Sequence, residues 1–307
     1  MTAALSSSRS LAIAGAICGL GSAALFGISA PLAKLLLPRV DAWVLAGLLY
    51  LGAGVGLVAL RVAQRAAGNR PDASTRLTRG DLPLLLAIAF IGGGLGPVLL
   101  LVGLGRLSGV AGALLLNLEA VFTAVLAVTV FRERVTRLEL SGVVVVVVGA
   151  VLLSATGGSF DGGLFGIAAV VAACLAWGID NNLTARVSGR NAVELVRFKA
   201  LTAGTGNLVL AMAAGHPLPG LGIAVLSLGV GFISYGVSIV LDVYALRYIG
   251  AARESGYFAT APFAGAAAAV PLLGERMAAT EIVAGVVMAA GIALLITGRP
   301  SETPRTA

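Results

Sequence analysis

Charged residues are scarce in this sequence. Only 11% of its 307 residues are Asp, Glu, Lys or Arg, whereas 58% are hydrophobic, and the mean hydropathy is +1.00. A water-soluble domain carries about a quarter charged residues, so this chain has too few to cover the surface of a soluble globule. The composition therefore excludes an ordinary soluble protein and predicts an integral membrane protein.

Cysteine and histidine are scarcer still. Cys18 and Cys174 lie inside apolar runs, and the one histidine, His216, lies between two such runs. Two such thiols and one imidazole provide neither a disulfide framework nor a set of metal ligands, so we expect no metal and no cofactor. No nucleophile–base pair is visible, and the stretch "GGGLGP" lacks the Lys-Ser/Thr pair of a phosphate loop. These absences argue against an enzyme and against ATP-driven transport.

Long apolar runs make up most of what is present. A membrane-spanning helix needs about 20 mostly apolar residues, and ten segments qualify, with short connections between them. The first run is too long for a signal-peptide core of about 7–15 residues, so we interpret it as a retained span. The predicted fold is an all-α integral membrane protein with ten transmembrane helices: Leu11–Leu36, Ala42–Val62, Leu82–Leu104, Val110–Phe131, Leu138–Ser154, Leu164–Arg186, Ala192–Ala214, Leu221–Leu246, Ser255–Leu273 and Ala279–Thr297.

Arginine and lysine are unevenly distributed between alternate loops. With the N-terminus inside, the outer side carries only Lys34, Arg39, Arg106 and Arg276, while the inner side carries fifteen arginines, from Arg9 and Arg61 to Arg305. This bias predicts a multi-pass protein of the inner (plasma) membrane with both termini cytoplasmic. The net charge of +7 is thus a topology signal, and we expect the lipid bilayer, and no nucleic acid, as a partner.

The chain contains an internal repeat. Residues 116–153 align without a gap with residues 258–295, which places Glu133-Arg134 on Glu275-Arg276 and Gly149 on Gly291. Further upstream, "FGISAPL" from Phe26 resembles "WGIDNNL" from Trp177. Because each half holds five spans, an odd number, the second half must enter the membrane from the opposite side. The sequence predicts two inverted repeats, residues 1–156 and 157–307, with the functional site between them.

The paired segments "FRERVTRLELSGVVVVVVGAVLL" and "LGERMAATEIVAGVVMAAGIALL" resemble the two copies of the EamA repeat in the drug/metabolite transporter superfamily. That resemblance implies ten helices, inverted halves, a central cavity and export of small metabolites. The family often has Glu-Pro in the fourth helix of each repeat, whereas this chain has Glu119-Ala120 in the first copy and Ala261-Pro262 in the second. A kink in the fourth span and a carboxylate in the ninth therefore do not follow from the resemblance.

Glu119, near the middle of the fourth span, is the sharpest candidate for a functional side chain. An ionisable group at membrane depth is unfavourable by at least about 2.5–3.5 kcal/mol and usually faces a cavity or a partner. Glu119, with Asn117 two residues earlier, is either a cavity carboxylate that binds an ammonium group or a proton, or a protonated side chain hydrogen-bonded to a neighbouring helix.

Asp180 is the second candidate, in the polar run "DNN" near the end of the sixth span. Trp177, Asp180 and Thr184 share one helical face, which suits an amphipathic ligand. The alternative is an interfacial tryptophan followed by a polar helix end. Three consecutive residues cannot all face one cavity, so we expect Asn181 or Asn182 to connect neighbouring helices.

Further polar residues lie in the later spans. The eighth span carries Ser234, Tyr235 and Ser238 on a stripe that continues to Asp242, and Tyr257 is an aromatic candidate in the ninth. Ligand contact and plain helix-to-helix hydrogen bonding are both open for this patch. Arg197 and Lys199, in the seventh span, either extend to the inner surface or bind a carboxylate. Glycine pairs such as Gly92/Gly96 predict close helix packing, and the Glu-Arg turns are interpreted as structural.

These features predict a secondary transporter that exports small metabolites by alternating access, with amino acids or similar amphipathic compounds as the favoured substrates. Carboxylates, amides, basic groups and aromatic rings together in the spans support this class. An ion gradient, with protons as the candidate ion, or the substrate's own gradient would drive export. The alternatives are an exporter of cationic drugs or other metabolites, and a membrane protein without transport activity, such as an embedded enzyme or a lipid-handling scaffold.

Overall fold

The computed structural model describes residues 2–68, 76–130, 132, 136–156, 163–187, 189–249 and 257–298, and no strand occurs in these ranges. Two π-helical segments, Ala89–Leu95 and Phe232–Val237, interrupt the third and eighth spans. The α-helices are α1 (Thr2–Gly27), α2 (Ser29–Leu36), α3 (Ala42–Ala66), α4 (Leu82–Ile88), α5 (Gly96–Leu104), α6 (Gly109–Leu115), α7 (Leu118–Thr129), α8 (Arg137–Thr156), α9 (Gly163–Ala185), α10 (Ala192–Ala213), α11 (Leu221–Gly231), α12 (Ser238–Ile249), α13 (Ala261–Leu273) and α14 (Ala279–Gly298).

Eight helical segments of the described chain are long and apolar enough to cross a membrane. Two predicted spans are outside that group. The seventh corresponds to α10, whose charged and amide side chains lower its mean hydropathy, and the ninth to α13, which has only 13 residues. The all-α membrane architecture is therefore confirmed, while the count of ten spans stays a prediction.

Reciprocal contacts relate the two halves of the chain. In the second and seventh spans, a Cβ on Gly54 would lie 2.7 Å from a side-chain atom of Leu201, and a Cβ on Gly204 would lie 2.5 Å from the backbone of Leu51. Because 54 pairs with 201 and 51 with 204, helices α3 and α10 run antiparallel. Antiparallel counterparts in direct contact are what an inverted repeat requires.

The fifth and tenth spans repeat this arrangement. Gly149 of α8 packs against Met288 and Ala284 of α14, and Gly291 of α14 packs against Val146 and Gly142 of α8. The glycines let the two backbones approach closely, as small residues do at interfaces between membrane helices. The surface between the two repeats, here called the seam, is therefore held at both sides by antiparallel pairs.

Large apolar side chains cover the outside of the bundle. Ile17 of α1, Phe165 of α9 and Val286 of α14 are each more than half exposed. In water this would be an unfavourable surface, whereas lipid tails solvate it without penalty. The polar groups described below lie inside the bundle, so the distribution of side chains is that of a protein with bilayer around it.

We distinguish the two membrane faces by one arginine on each. The Arg39 face carries the connections α2–α3, α5–α6, α10–α11 and α13–α14, and the Arg61 face carries α3–α4 and α9–α10. Gly274, with φ +66°, ends α13 in the left-handed conformation that favours glycine and begins the turn with Glu275 at the Arg39 face. The equivalent pair in the first repeat, Glu133-Arg134, lies outside the described residues.

Candidate functional site

The fourth span breaks one turn before its carboxylate. Helix α6 ends at Leu115 and α7 begins at Leu118. In between, Asn117 N–H donates to Leu114 O over 3.1 Å and Glu119 N–H donates to Leu116 O over 3.0 Å. These i→i−3 bonds tighten the chain into a 3-10 turn, so the span breaks without the proline that the family pattern has there.

The ninth span has its break at the equivalent position. Helix α13 begins at Ala261, and Thr260 N–H donates to Tyr257 O over 3.0 Å just before it. In the repeat alignment Ala261 corresponds to Glu119. Glu119 and Ala261, at the starts of these half-helices, line the same cavity, and transporters place binding sites at broken helices of this kind.

Two cavities meet at Glu119. The Glu119 cavity has a volume of about 370 Å³, and its walls come from α1, the turn between α6 and α7, α7, α9, α13 and α14, with Phe258 and Ala259 just before α13. The Asp180 cavity has a volume of about 200 Å³ and extends to Thr184, next to the last residue of α9 at the Arg61 face. Both cavities are lined by Phe26, Glu119, Asn181 and Phe258. Together they reach the size range of small-molecule sites.

The Glu119 carboxylate is held by the side-chain amide of Asn181. Asn181 Nδ2 of α9 donates to Glu119 Oε1 over 2.8 Å and to Thr123 Oγ1 over 3.2 Å. Thr123 in turn donates to the Glu119 backbone carbonyl over 2.8 Å. No ion pair with a lysine or arginine of the described residues reaches Glu119. The carboxylate is therefore oriented by an amide and not by a cationic side chain of the described residues.

Asp180 pairs with the second basic candidate of the seventh span. Lys199 Nζ donates to Asp180 Oδ2, while Asp180 Oδ1 has no hydrogen-bond partner although the residue is only 4% exposed. The carboxylate fits against Gly92 so closely that a Cβ there would lie 2.2 Å from Asp180 Cγ. Glu119 lies within electrostatic reach of both members of this pair. The cavities thus contain three carboxylates, those of Glu119, Asp180 and Asp242, and the ammonium group of Lys199.

The first π segment exposes backbone carbonyls, and three side chains bind them. Trp177 Nε1 and Tyr50 Oη donate to Gly92 O over 2.8 and 3.1 Å. Asn207 Nδ2 donates to Gly93 O over 3.3 Å. A π turn shifts the helical hydrogen-bond register, so carbonyls near it become available to side chains. The segment therefore connects α3, α9 and α10 at the edge of the Asp180 cavity.

Aromatic rings form much of the wall of the Asp180 cavity. Phe26 contacts Tyr235 edge to face with ring centroids 5.6 Å apart, and contacts Phe258 at 5.2 Å. Tyr50 lies 5.5 Å from Tyr235. Rings in such contact exclude water and bind the apolar or cationic part of a ligand.

The other candidates have different surroundings. Asn117 is 2% exposed, lines the Glu119 cavity and has an unpartnered Oδ1. Ser238 Oγ donates to Ser234 O one turn earlier, and neither serine lines the two cavities. Tyr257 does not line them either, and packs against Gly19 instead.

The three consecutive polar residues of the sixth span have different partners. Asp180 pairs with Lys199 and Asn181 binds Glu119, whereas Asn182 Nδ2 donates to Thr123 O over 3.0 Å and to Gly178 O over 2.8 Å. Asn182 is therefore a contact between α9 and α7. Ligand binding by the predicted site residues stays a prediction.

Sequence reasoning missed several wall residues. Phe26 could have been found, because the repeat alignment pairs it with Trp177. Phe258 is the first residue of the second aligned segment, and nothing in the alignment indicated that it would line a cavity. Nothing in the sequence distinguishes Tyr50 or Asn207, because their partners are carbonyls that only the π segment exposes. Among the described residues no three His, Cys, Asp or Glu side chains are close enough to hold a metal ion.

Comparisons with known proteins agree with this architecture. The chain matches the model of the EamA-like transporter family twice, over residues 13–155 and 164–297. It is 29% identical over 286 residues to an uncharacterised transporter of Methanothermobacter thermautotrophicus, with 88% of this chain and 82% of that protein covered. A solved crystal structure superposes with a TM-score of 0.62 at 17% identity, covering 94% of this chain and 98% of the other, a likeness that shows the fold alone. The chain is a multi-pass membrane protein that belongs to the EamA-like transporter family.

Proposed function

We propose that the protein exports small amphipathic compounds, amino acids in particular, by alternating access of its two repeats, residues 1–156 and 157–307. The observation that carries this proposal is the surroundings of Glu119, a carboxylate on the wall of two cavities with an amide partner and no ion-pair partner among the described residues. A partly buried carboxylate with only an amide partner is best compensated by a charged hydrogen-bond donor from the ligand.

A zwitterion matches the groups that line the cavities. Its ammonium group would bind Glu119, and its carboxylate would bind Lys199, which keeps donors beyond the one given to Asp180. Its apolar part would lie in the Glu119 cavity, where Phe258, Ile292 and Leu295 contribute to the wall. The site would thus bind the charged groups of the ligand with polar side chains and its apolar part with an apolar wall, as an amphipathic ligand requires.

The position of the Asp180 cavity supports the proposed direction of transport. The Asp180 cavity extends to Thr184 at the Arg61 face, which is the arginine-rich side and, by the positive-inside rule, the cytoplasmic one. We therefore expect a protein of the inner membrane with both termini in the cytoplasm, loading its substrate from inside. Protons are the candidate coupling ion, with Glu119 as the group that would carry them.

Flux in proteoliposomes tests the proposal. Purified protein should transport amino acids from a broad panel above the rate of empty vesicles. Glu119→Gln should reduce that flux at least about tenfold, because a hydrogen bond to a charged group contributes about 1.5–3 kcal/mol. Glu194→Gln, at the start of α10, is the matched control and should transport normally, because the Glu194 side chain is not part of the lining of either cavity. No flux for any amino acid would reject this substrate class.

Cationic compounds are the second candidate class. Three carboxylates, those of Glu119, Asp180 and Asp242, line the cavities together with the one ammonium group of Lys199, and carboxylates in such excess also suit an organic cation. The two classes are distinguished by Asp180→Asn and Glu119→Gln. Loss of resistance to cationic drugs with retained amino-acid flux would favour the cation exporter, and the reverse pattern would favour the amino-acid exporter.

A further inference from the structure

One short connection at the Arg39 face is held from both of its ends. It joins α5 to α6 and runs from Gly105 to Ser108. At its start, Lys34 Nζ of α2 donates to Leu104 O over 2.8 Å and also to Leu107 O. The carbonyls at a helix C-terminus carry partial negative charge and lack helical partners, so an ammonium group stabilises them.

The other end of the connection is bound by the second repeat. Glu275, in the turn after α13, accepts from Gly109 N–H over 2.6 Å and from Val110 N–H over 2.9 Å. These are the first amides of α6, where a carboxylate is favoured by the helix dipole and by charge-assisted hydrogen bonds. Close by, Ser108 Oγ donates to Glu281 Oε1 over 3.2 Å. The connection is thus held by a cation from one repeat and by carboxylates from the other.

The contacts of Glu275 across the seam and of Lys34 beside it differ in kind from the helix pairs of the seam. The pairs α3–α10 and α8–α14 are joined by apolar contacts between closely packed backbones. The contacts of Lys34 and Glu275 are polar, both residues are only partly buried, and Gly105 and Arg106 beside them are exposed. Lys34 also lines a pocket of about 760 Å³ at this face. Water can therefore replace each of these hydrogen bonds when it breaks.

We propose that Lys34 and Glu275 are positioning residues for transport: Glu275 holds the seam closed at the Arg39 face and releases the α5–α6 connection when that face opens, and Lys34, within the first repeat, keeps that connection in the position that Glu275 binds. The inference goes beyond the substrate and rests on the alternating access proposed above. Opening moves α6 away from Glu275, and α6 leads directly to the break before Glu119. Movement of the α5–α6 connection is thereby coupled through α6 to access to Glu119.

Labelling of a cysteine inside the cavity tests this proposal without any substrate. Ala120 lines the Glu119 cavity, so Ala120→Cys is placed in a background of Cys18→Ala and Cys174→Ala. A membrane-impermeant maleimide is added to one face at a time, using vesicles of both orientations. Glu275→Gln and, independently, Lys34→Met should raise the labelling rate from the Arg39 face about three- to tenfold and lower it from the Arg61 face. Arg276→Gln, next to Glu275 and exposed, should leave both rates unchanged.

The outcomes separate a conformational role from a structural one. If both variants fold and label at the parent rates from both faces, the proposal is overturned. If labelling rises equally from both faces together with a lower melting temperature, the two residues only stabilise the fold, which also overturns it. Because the assay needs no transported compound, absence of amino-acid flux would count against the proposed substrate and leave this result untouched.

Discussion

Asn181 of the second repeat donates a hydrogen bond of 2.8 Å to the Glu119 carboxylate of the first. The bond crosses the seam at the point where two cavities meet, so the orientation of Glu119 depends on how the repeats are placed. An amide can hold a carboxylate in place while leaving its charge available, which a lysine or arginine could not. The pair is therefore suited to a side chain whose charge is met by a ligand.

Substitution of neighbouring asparagines should separate binding from folding. Asn181→Leu removes the donor to Glu119, and we expect weaker substrate binding by about ten- to a hundredfold, since a hydrogen bond to a charge contributes about 1.5–3 kcal/mol. Asn182→Leu removes the contact between α9 and Thr123 O instead. It should lower the melting temperature with a smaller change in affinity. Binding titrations and thermal unfolding in detergent distinguish the two, and equal effects on affinity would contradict the division of roles.

The ion pair of Asp180 and Lys199 should show strong energetic coupling. Asp180→Asn or Lys199→Met alone leaves a buried charge without its partner, which is expected to destabilise the protein by about 3–5 kcal/mol. The double variant removes both charges and should be more stable than either single variant. Chemical unfolding of the four proteins measures the coupling. If the two single effects simply add, the pair is not an isolated buried unit.

The all-α membrane architecture could be predicted from the sequence, because an apolar run of about 20 residues indicates a membrane span however that span packs. The sequence also showed that Glu119 and Asp180 lie inside such runs, which is unusual for carboxylates. The break in the fourth span was not, since it occurs at Leu116 and Asn117 without proline. The π segments also leave no compositional mark, so the carbonyl of Gly92 could not be recognised as an acceptor.

Gly92 and Gly94 test the packing at the first π segment. A Cβ on Gly92 would lie 2.2 Å from Asp180 Cγ, whereas a Cβ on Gly94 would come no closer than 3.6 Å to its nearest neighbour, Ala89 O. Gly92→Ala should therefore displace α9 and lower both transport and melting temperature, as overpacking by about 1–3 kcal/mol would. Gly94→Ala, in the same segment, should be nearly neutral. Similar losses for both variants would mean that helix geometry, and not contact with Asp180, is responsible.

The carbonyl of Gly92 accepts hydrogen bonds from two side chains, and this predicts that removing both donors lowers stability by more than the sum of the two single losses. Trp177→Phe keeps an aromatic ring on the cavity wall but removes the Nε1 hydrogen bond, and Tyr50→Phe removes the hydroxyl bond. Each single variant leaves the carbonyl one partner, so each should lower stability by only about 0.5–1.5 kcal/mol.

The double variant Tyr50→Phe/Trp177→Phe leaves Gly92 O buried without a side-chain donor, and the penalty for an unsatisfied buried acceptor adds to the two lost bonds. The double loss should therefore exceed the sum of the single losses in equilibrium unfolding. Tyr244→Phe, on an exposed ring of α12, controls for removing a hydroxyl. An additive result would mean that water or another group binds the carbonyl when both donors are gone, and that the π segment does not depend on these two side chains.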